Sequence, residues 1–588
     1  MKKTPSALKI MLGSVCCHVC YMMSLKLYIV SLYPHFYILA ASFVCLMCVF
    51  LICLKEMHAV VSPHKRTVNV CVMALLVMAA QALSSEGNAQ NTVPSYMTPV
   101  LQDGSKFEPA NVVDAARQLA KKPFQDLSND LPEPFNALNF EAYNSIRTQP
   151  NAMIWEGEGR GIVIEPLHRG FAYSQPVNLF QVDQGMINRI RFSAQQFDYS
   201  SLLALGQNIP AALPDLQFSG FKIRTPDANG RDSVVFQGAT FFRAIGFDQT
   251  YGQISRALTL RASDAKGEEV PVFRAFWIEK PVVAANEIII HALMDSISVA
   301  ASARFIVRPN TTTIIDVEMT FFPRITLDHV GIASSAGSFL FSRYSRRFGD
   351  DIRAGAYEVS GLHMRTGRDE WIYRPVTNPD VLLMSVFDDT NPKGFGLVQR
   401  ERDFFDFQDE VTPWQTRPSM WIEPLGDWGE GAIQLLEIPA ISEINDNILA
   451  YWRPKKPYAA GSEVTIAYRQ YWGKQPPERP SLAQVSQTRT GRIPNSRSRR
   501  LSVDFSGEIF AEPILPAELR PLLWVNSGTV SAVRYTHTPE RKTLRATFDL
   551  DPAAEKSIEL RLVLETRSKT NQDVWNPITE TWLYRWTP

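Results

Sequence analysis

Apolar and polar residues trade places one by one through much of this chain, in runs too short for most helices and closed by turn residues. Leu544, Ala546, Phe548 and Leu550 alternate with Arg545, Thr547 and Asp549. Ile558, Leu560, Leu562 and Leu564 alternate with Glu559, Arg561, Val563 and Glu565, and Leu501, Val503 and Phe505 with Ser502 and Asp504. A period of two places alternate side chains on opposite faces of a strand, so each run buries one face and wets the other. Thr312-Thr-Thr-Ile-Ile-Asp-Val-Glu-Met-Thr-Phe-Phe322 and Val464-Thr-Ile-Ala-Tyr-Arg-Gln-Tyr-Trp472 are also rich in β-branched and aromatic residues. Between such runs stand Asp227-Ala-Asn-Gly230, Thr377-Asn-Pro-Asp380 and Thr390-Asn-Pro-Lys-Gly394, which supply turn chemistry. Strands joined by turns imply an all-β fold of antiparallel sandwiches. One helix is expected over 111–122, with Val112, Ala116 and Leu119 on one face and Asn111 as its N-cap.

The 588 residues are too many for one core and call for two or more domains. Cysteine divides the chain: all seven (Cys16, Cys17, Cys20, Cys45, Cys48, Cys53, Cys71) precede residue 72. The remainder therefore has no disulfide, thiolate metal site or Cys nucleophile. The apolar run Thr67–Leu83 follows Lys65-Arg66 and leads to Ser84-Ser-Glu-Gly-Asn-Ala89, the parts of a secretory signal over 57–89. Upstream, residues 1–56 form an apolar extension, uncharged from Leu27 to Leu54. It reads either as a membrane span or as the product of a start assigned too early, with Met57 the true beginning. The second reading fits better, because a span followed by a cleavable signal is an odd order. Either way the globule is exported.

Lys and Arg balance Asp and Glu at 60 each, which argues against a nucleic-acid partner. The histidines are scattered without ligand spacing, so neither metal nor cofactor is expected. Gly157-Glu-Gly159-Arg-Gly161 opens no helix and reads as a strand bend. The richest stretch is 358–446, where Glu358, Asp388, Asp389, Arg400, Glu401, Asp403, Asp406, Asp409, Glu437, Glu443 and Asp446 stand among Trp371, Trp414, Trp421 and Trp428, with Trp452 just beyond. Indole faces pack on sugar C–H groups and carboxylates bond hydroxyls. Glycoside hydrolysis needs one protonated carboxyl and one ionised one. Against this, tryptophans fill sandwich cores and acids sit on solvated strand faces.

Asn391-Pro-Lys-Gly-Phe-Gly-Leu-Val-Gln-Arg-Glu-Arg-Asp-Phe404, Arg417-Pro-Ser-Met-Trp-Ile-Glu-Pro-Leu-Gly-Asp-Trp-Gly-Glu-Gly431 and Asn445-Asp-Asn-Ile-Leu-Ala-Tyr-Trp452 resemble the bacterial periplasmic glucan biosynthesis proteins of the G/D family. So do Gly238-Ala-Thr-Phe-Phe-Arg-Ala-Ile-Gly246 and Phe276-Trp-Ile-Glu-Lys-Pro281. The resemblance runs from about residue 107 to the end. It implies a large mutarotase-like β-sandwich over 107–472, then a smaller immunoglobulin-like sandwich over 501–588. Residues 473–500, with four Pro and seven Lys or Arg, form a basic linker between them.

The resemblance further implies a periplasmic protein of a Gram-negative bacterium, acting on osmoregulated β-1,2-glucan as an inverting endo-β-1,2-glucanase. Asp446 of the Asn-Asp-Asn motif would be the general acid. Glu358, before Ser360-Gly-Leu362, would be the base, at a position where the family pattern has Asp. Glu reaches one methylene further and could shift the water by about 1 Å. Trp371, Arg400, Trp428 and Trp452 are the expected sugar contacts, Arg400 reading equally as a structural ion pair. The partner is then a β-1,2-glucan oligosaccharide, a membrane is touched only through the N-terminal segment, and a homodimer stays open. The alternative is a non-catalytic carbohydrate-binding protein that guides the nascent glucan or its transferases.

Overall fold

The computed structural model describes residues 99–588 apart from 128–130, 211–212, 226–230, 265–266, 347–349, 569 and 571–572. The apolar extension, the signal peptide and the turn Asp227–Gly230 lie outside the described residues.

The two β-rich runs find each other. Thr313–Pro323 lies antiparallel to Val464–Gly473, Thr313 opposite Trp472 and Phe321 opposite Val464. They sit inside a 15-stranded sheet. A nine-stranded sheet runs from the edge strand Leu383–Thr390 through Glu430–Glu437, Ile448–Pro454, Val330–Gly337, Ile254–Leu260 and Phe241–Ala244 to Val163–Leu167. Apolar residues of both sheets form one core, including Phe305, Val317 and Met319 from the larger and Phe242, Leu258, Ile332 and Ile448 from the smaller. Phe305 meets Phe236 and Phe242 edge-on, at 5.0 and 5.4 Å between ring centroids, a geometry that aligns ring edges with ring faces. This is the expected all-β sandwich.

The helix is Pro109–Leu119, and its buried Val112, Ala115, Ala116 and Leu119 rest on Phe180, Trp277, Leu293 and Phe322 of the larger sheet. Asn111 is inside the helix rather than its cap. Glu108 holds the cap position with extended backbone, and Pro109 begins the first turn, where its missing N–H costs nothing. Among the described residues no helix is long and apolar enough to cross a membrane.

Residues 473–500 are not all connector. Gln484–Arg492 is a strand, antiparallel to Arg499–Ser506, with Val485 buried. Its β-branched Val485, Thr488 and Thr490 were masked in the sequence by prolines and cations on either side. Strand Thr543–Asp551 alternates strictly between half-buried and buried positions. A second core joins Leu501, Val503, Phe505, Leu544, Phe548, Leu560 and Trp582, and it takes in Tyr373 and Val398 from the large sandwich. The backbone continues across the same junction: Ile372 and Tyr373 pair in parallel with Thr581 and Trp582, so the larger sheet runs on into the C-terminal lobe.

Candidate active site

Glu358 follows the short strand Ala356–Tyr357, which pairs with Phe339–Phe341. Its N–H donates to the Ser338 carbonyl at 2.8 Å, and the Ser338 N–H donates to its Oε2 at 3.4 Å. Only 7 % of Glu358 is exposed. Its Oε1 accepts from Nη1 of Arg417 at 2.8 Å. Burial pushes the carboxyl up to about 7, the charge of Asp446 adds to that, and Arg417, the Ser338 N–H and Arg243 oppose it. A charge in a low-dielectric surround is costly, and one cation offsets that cost only in part.

Asp446 is the second-last residue of the loop between Glu430–Glu437 and Ile448–Pro454. Its neighbour Asn447 is buried and sets its place: Oδ1 accepts from the Phe339 N–H at 2.8 Å, and Nδ2 donates to the carbonyls of Phe339 at 3.1 Å and Ile438 at 3.0 Å. Glu358 and the neighbour of Asp446, remote from each other in sequence, are thus anchored on one piece of backbone. Ser338 holds Glu358, and Phe339 holds the residue beside Asp446. Solvent reaches Asp446, yet enough protein surrounds it for desolvation to raise its pKa against the pull of Arg243, Arg256 and Arg417.

The surrounding cations Arg243 and Arg256 come from the nine-stranded sheet. Arg243 lies 5.8 Å from the Tyr251 ring centroid, and Arg256 lies 5.0 Å from that of Phe241 while pairing with Glu268. Fully buried Gln253 donates to the carbonyls of Leu397 (3.1 Å) and Pro418 (2.9 Å) and accepts from Ser335 at 3.0 Å. It stitches the sheets together beside Glu358. Arg417, Arg243, Asn447 and Gln253 were missed by sequence reasoning. The first three lie within stretches that carried the resemblance, which was the signal available.

Two of the four expected sugar contacts are committed elsewhere. Trp452 is 1 % exposed and belongs to the central core, where it has no face to offer. Trp428 packs near Phe395, Trp452 and Tyr468, and its Nε1–H donates to the Ala467 carbonyl at 3.2 Å. Trp371 stacks on Trp421 at 5.8 Å, with Arg365 over its ring. Arg400 takes the structural alternative: it pairs with fully buried Glu580, donates to the Val485 carbonyl at 2.6 Å and lies 3.6 Å from the Tyr373 ring centroid. It joins the lobes rather than a sugar. A cleft of about 710 Å³ opens at that junction, lined by Arg402, Lys474, Arg479 and Gln487 among others, and neither Glu358 nor Asp446 borders it. Among the described residues no group of three or more His, Cys, Asp or Glu is arranged to hold a metal ion.

The arrangement can present one buried, cation-paired carboxyl and one solvent-reached carboxyl to the same substrate. Residues 107–586 match the family model described as periplasmic glucan biosynthesis protein, MdoG. Glucans biosynthesis protein G of Shewanella baltica is 38 % identical over 89 % of this chain and 98 % of its own. The same-named protein of Shewanella sp. strain ANA-3 is 40 % identical over 88 % and 97 %, and that of Bradyrhizobium diazoefficiens 38 % over 82 % and 94 %.

Proposed function

Because the chain belongs to the periplasmic glucan biosynthesis family described as MdoG, we propose that it works in the periplasm on a β-1,2-glucan backbone and cleaves it internally with inversion. The observation that supports this most is that Glu358 and Asn447, the residue beside Asp446, are anchored on the adjoining backbone of Ser338 and Phe339, close enough for the charge of Asp446 to act on Glu358. In this reading Asp446 protonates the leaving glycosidic oxygen. Glu358, ionised, draws a proton from water directly or through a sugar hydroxyl, and the water attacks the opposite face of the ring.

The roles need opposite protonation states, and burial leaves Glu358 strongly raised. Covering by substrate redresses this. Asp446 has water to lose when a glucan lies over it, and that dehydration raises its pKa further, whereas Glu358 is already dry and keeps its guanidinium. A second reading, a non-catalytic glucan-binding protein, is favoured by the extra methylene of Glu358 where the family pattern implies Asp.

Incubation with linear β-1,2-glucan, read by chromatography and by new reducing ends, separates the two. On the hydrolase reading Asp446→Asn abolishes reducing ends, a loss of 10²-fold or more for removing a general acid, while the glucan still binds. Binding by the unaltered chain without any cleavage would leave the second reading in possession.

A further inference from the structure

Glu358 and Asp446 differ in their counter-ions. Glu358 has a guanidinium at 2.8 Å, whereas no direct side-chain partner of Asp446 stands among the described residues. Arg417 is itself held from several sides. Its Nη1 also donates to the Tyr251 carbonyl, its guanidinium lies 5.1 Å from the Trp414 ring centroid, and its own carbonyl accepts from Arg402. Its stem runs over Gly252, where a Cβ would stand 2.9 Å from Arg417 Cδ. Glycine there admits the arginine. A side chain so enclosed moves little, and neither does the carboxylate oxygen it grips.

Resting on the hydrolase reading above, we infer that Arg417 is a positioning residue: it fixes Oε1 of Glu358 and favours the ionised form in which that carboxyl serves as the base. The other groups facing Glu358 are Asp446 and Arg243 and the Ser338 N–H. Of these, Asp446 repels the ionised form, and Arg243 and the N–H favour it less than Arg417 does. Without Arg417, burial and Asp446 act on Glu358 nearly unopposed. The base then stays protonated through neutral pH, and Oε1 loses its anchor.

The test uses the full chain with Arg417→Met, Arg417→Gln and Arg417→Lys. Glu358 is titrated by carbon NMR of labelled glutamate, its signal assigned by its absence in Glu358→Gln. Loss of a cation in contact moves a carboxyl by ~1–3 pH units, so Arg417→Met and Arg417→Gln should each raise the Glu358 midpoint by about one unit or more. Arg417→Lys should hold it near its original place. In glucan cleavage, the acid limb of kcat/KM should move up by the same amount in the neutral variants, with activity partly recovered at alkaline pH. An unmoved Glu358 midpoint in either folded neutral variant overturns the inference, whether or not the protein cleaves glucan. Absence of cleavage by the unaltered chain overturns the hydrolase reading instead, and the titration still decides the role of Arg417.

Discussion

On the proposed hydrolase reading, a base that must be ionised fails when it takes up a proton, and the burial of Glu358 sets where that happens. Its carboxyl is raised from an ordinary 4.5 to about 7 because it is buried. The sign is therefore loss of activity on the acid side: kcat/KM should fall about tenfold per unit as pH drops below about 7, the behaviour of a single essential base. A pH–rate profile on linear β-1,2-glucan checks this, and a plateau persisting to pH 5 would exclude Glu358 from the role. Both carboxyls were legible in the sequence, because each stands in a stretch that resembles the family. Arg417 was not singled out, although it opens such a stretch. Nothing in a one-dimensional pattern says that a residue 59 positions from Glu358 is its counter-ion.

Elements place these groups, and the loop carrying Asp446 depends on one amide. Asn447 closes three hydrogen bonds to backbone, two of them on Phe339. Asn447→Ala leaves an N–H and two carbonyls short of partners, at about 1–3 kcal/mol for a buried unsatisfied group. It also frees Asp446 from its register. A displacement of about 1 Å can cost up to 10²-fold in rate, so cleavage should fall at least tenfold while the thermal midpoint drops only modestly. Comparing kcat with the melting curve of Asn447→Ala makes the check, and full activity would mean that the loop needs no such pin. The burial of Trp452, expected as a sugar contact, is decided at this same scale. In Ile448–Pro454 the positions of Ile448, Ala450 and Trp452 share the core-facing side, so the strand's period of two decided the fate of Trp452. The sandwich was legible because alternation is local. Which face of each strand would be covered was not, because it depends on the opposing sheet.

At the scale of the whole molecule, the lobes are joined by a buried ion cluster. Glu580 accepts from Arg400 at 2.5 and 3.1 Å, from the Val485 N–H at 2.7 Å, and lies 3.1 Å from Nε2 of His363. Despite burial, these partners hold its carboxyl down at about 2, against an ordinary 4.5. A depressed carboxylate stabilises the fold above its ordinary pKa, and that contribution is lost as pH falls from about 4.5 towards about 2. Glu580→Gln should therefore melt below the unaltered chain at pH 7, and the difference should close as the two are compared down to pH 2. Thermal scans across that range check it, and a gap independent of pH would assign Glu580 a packing role alone.

The parallel pairing of Ile372 and Tyr373 with Thr581 and Trp582 has a bearing on how this polypeptide can be cut. A deletion that removes the last strand, Thr581–Trp586, strips the pairing partner from Trp371–Pro375. It bares a row of peptide groups of the kind that recruits neighbouring molecules into fibrous or amorphous precipitate. The eight residues from Thr581 to Pro588 thus act as a selvedge for the large sandwich, and shortened versions of this chain should be judged by their solubility before their chemistry.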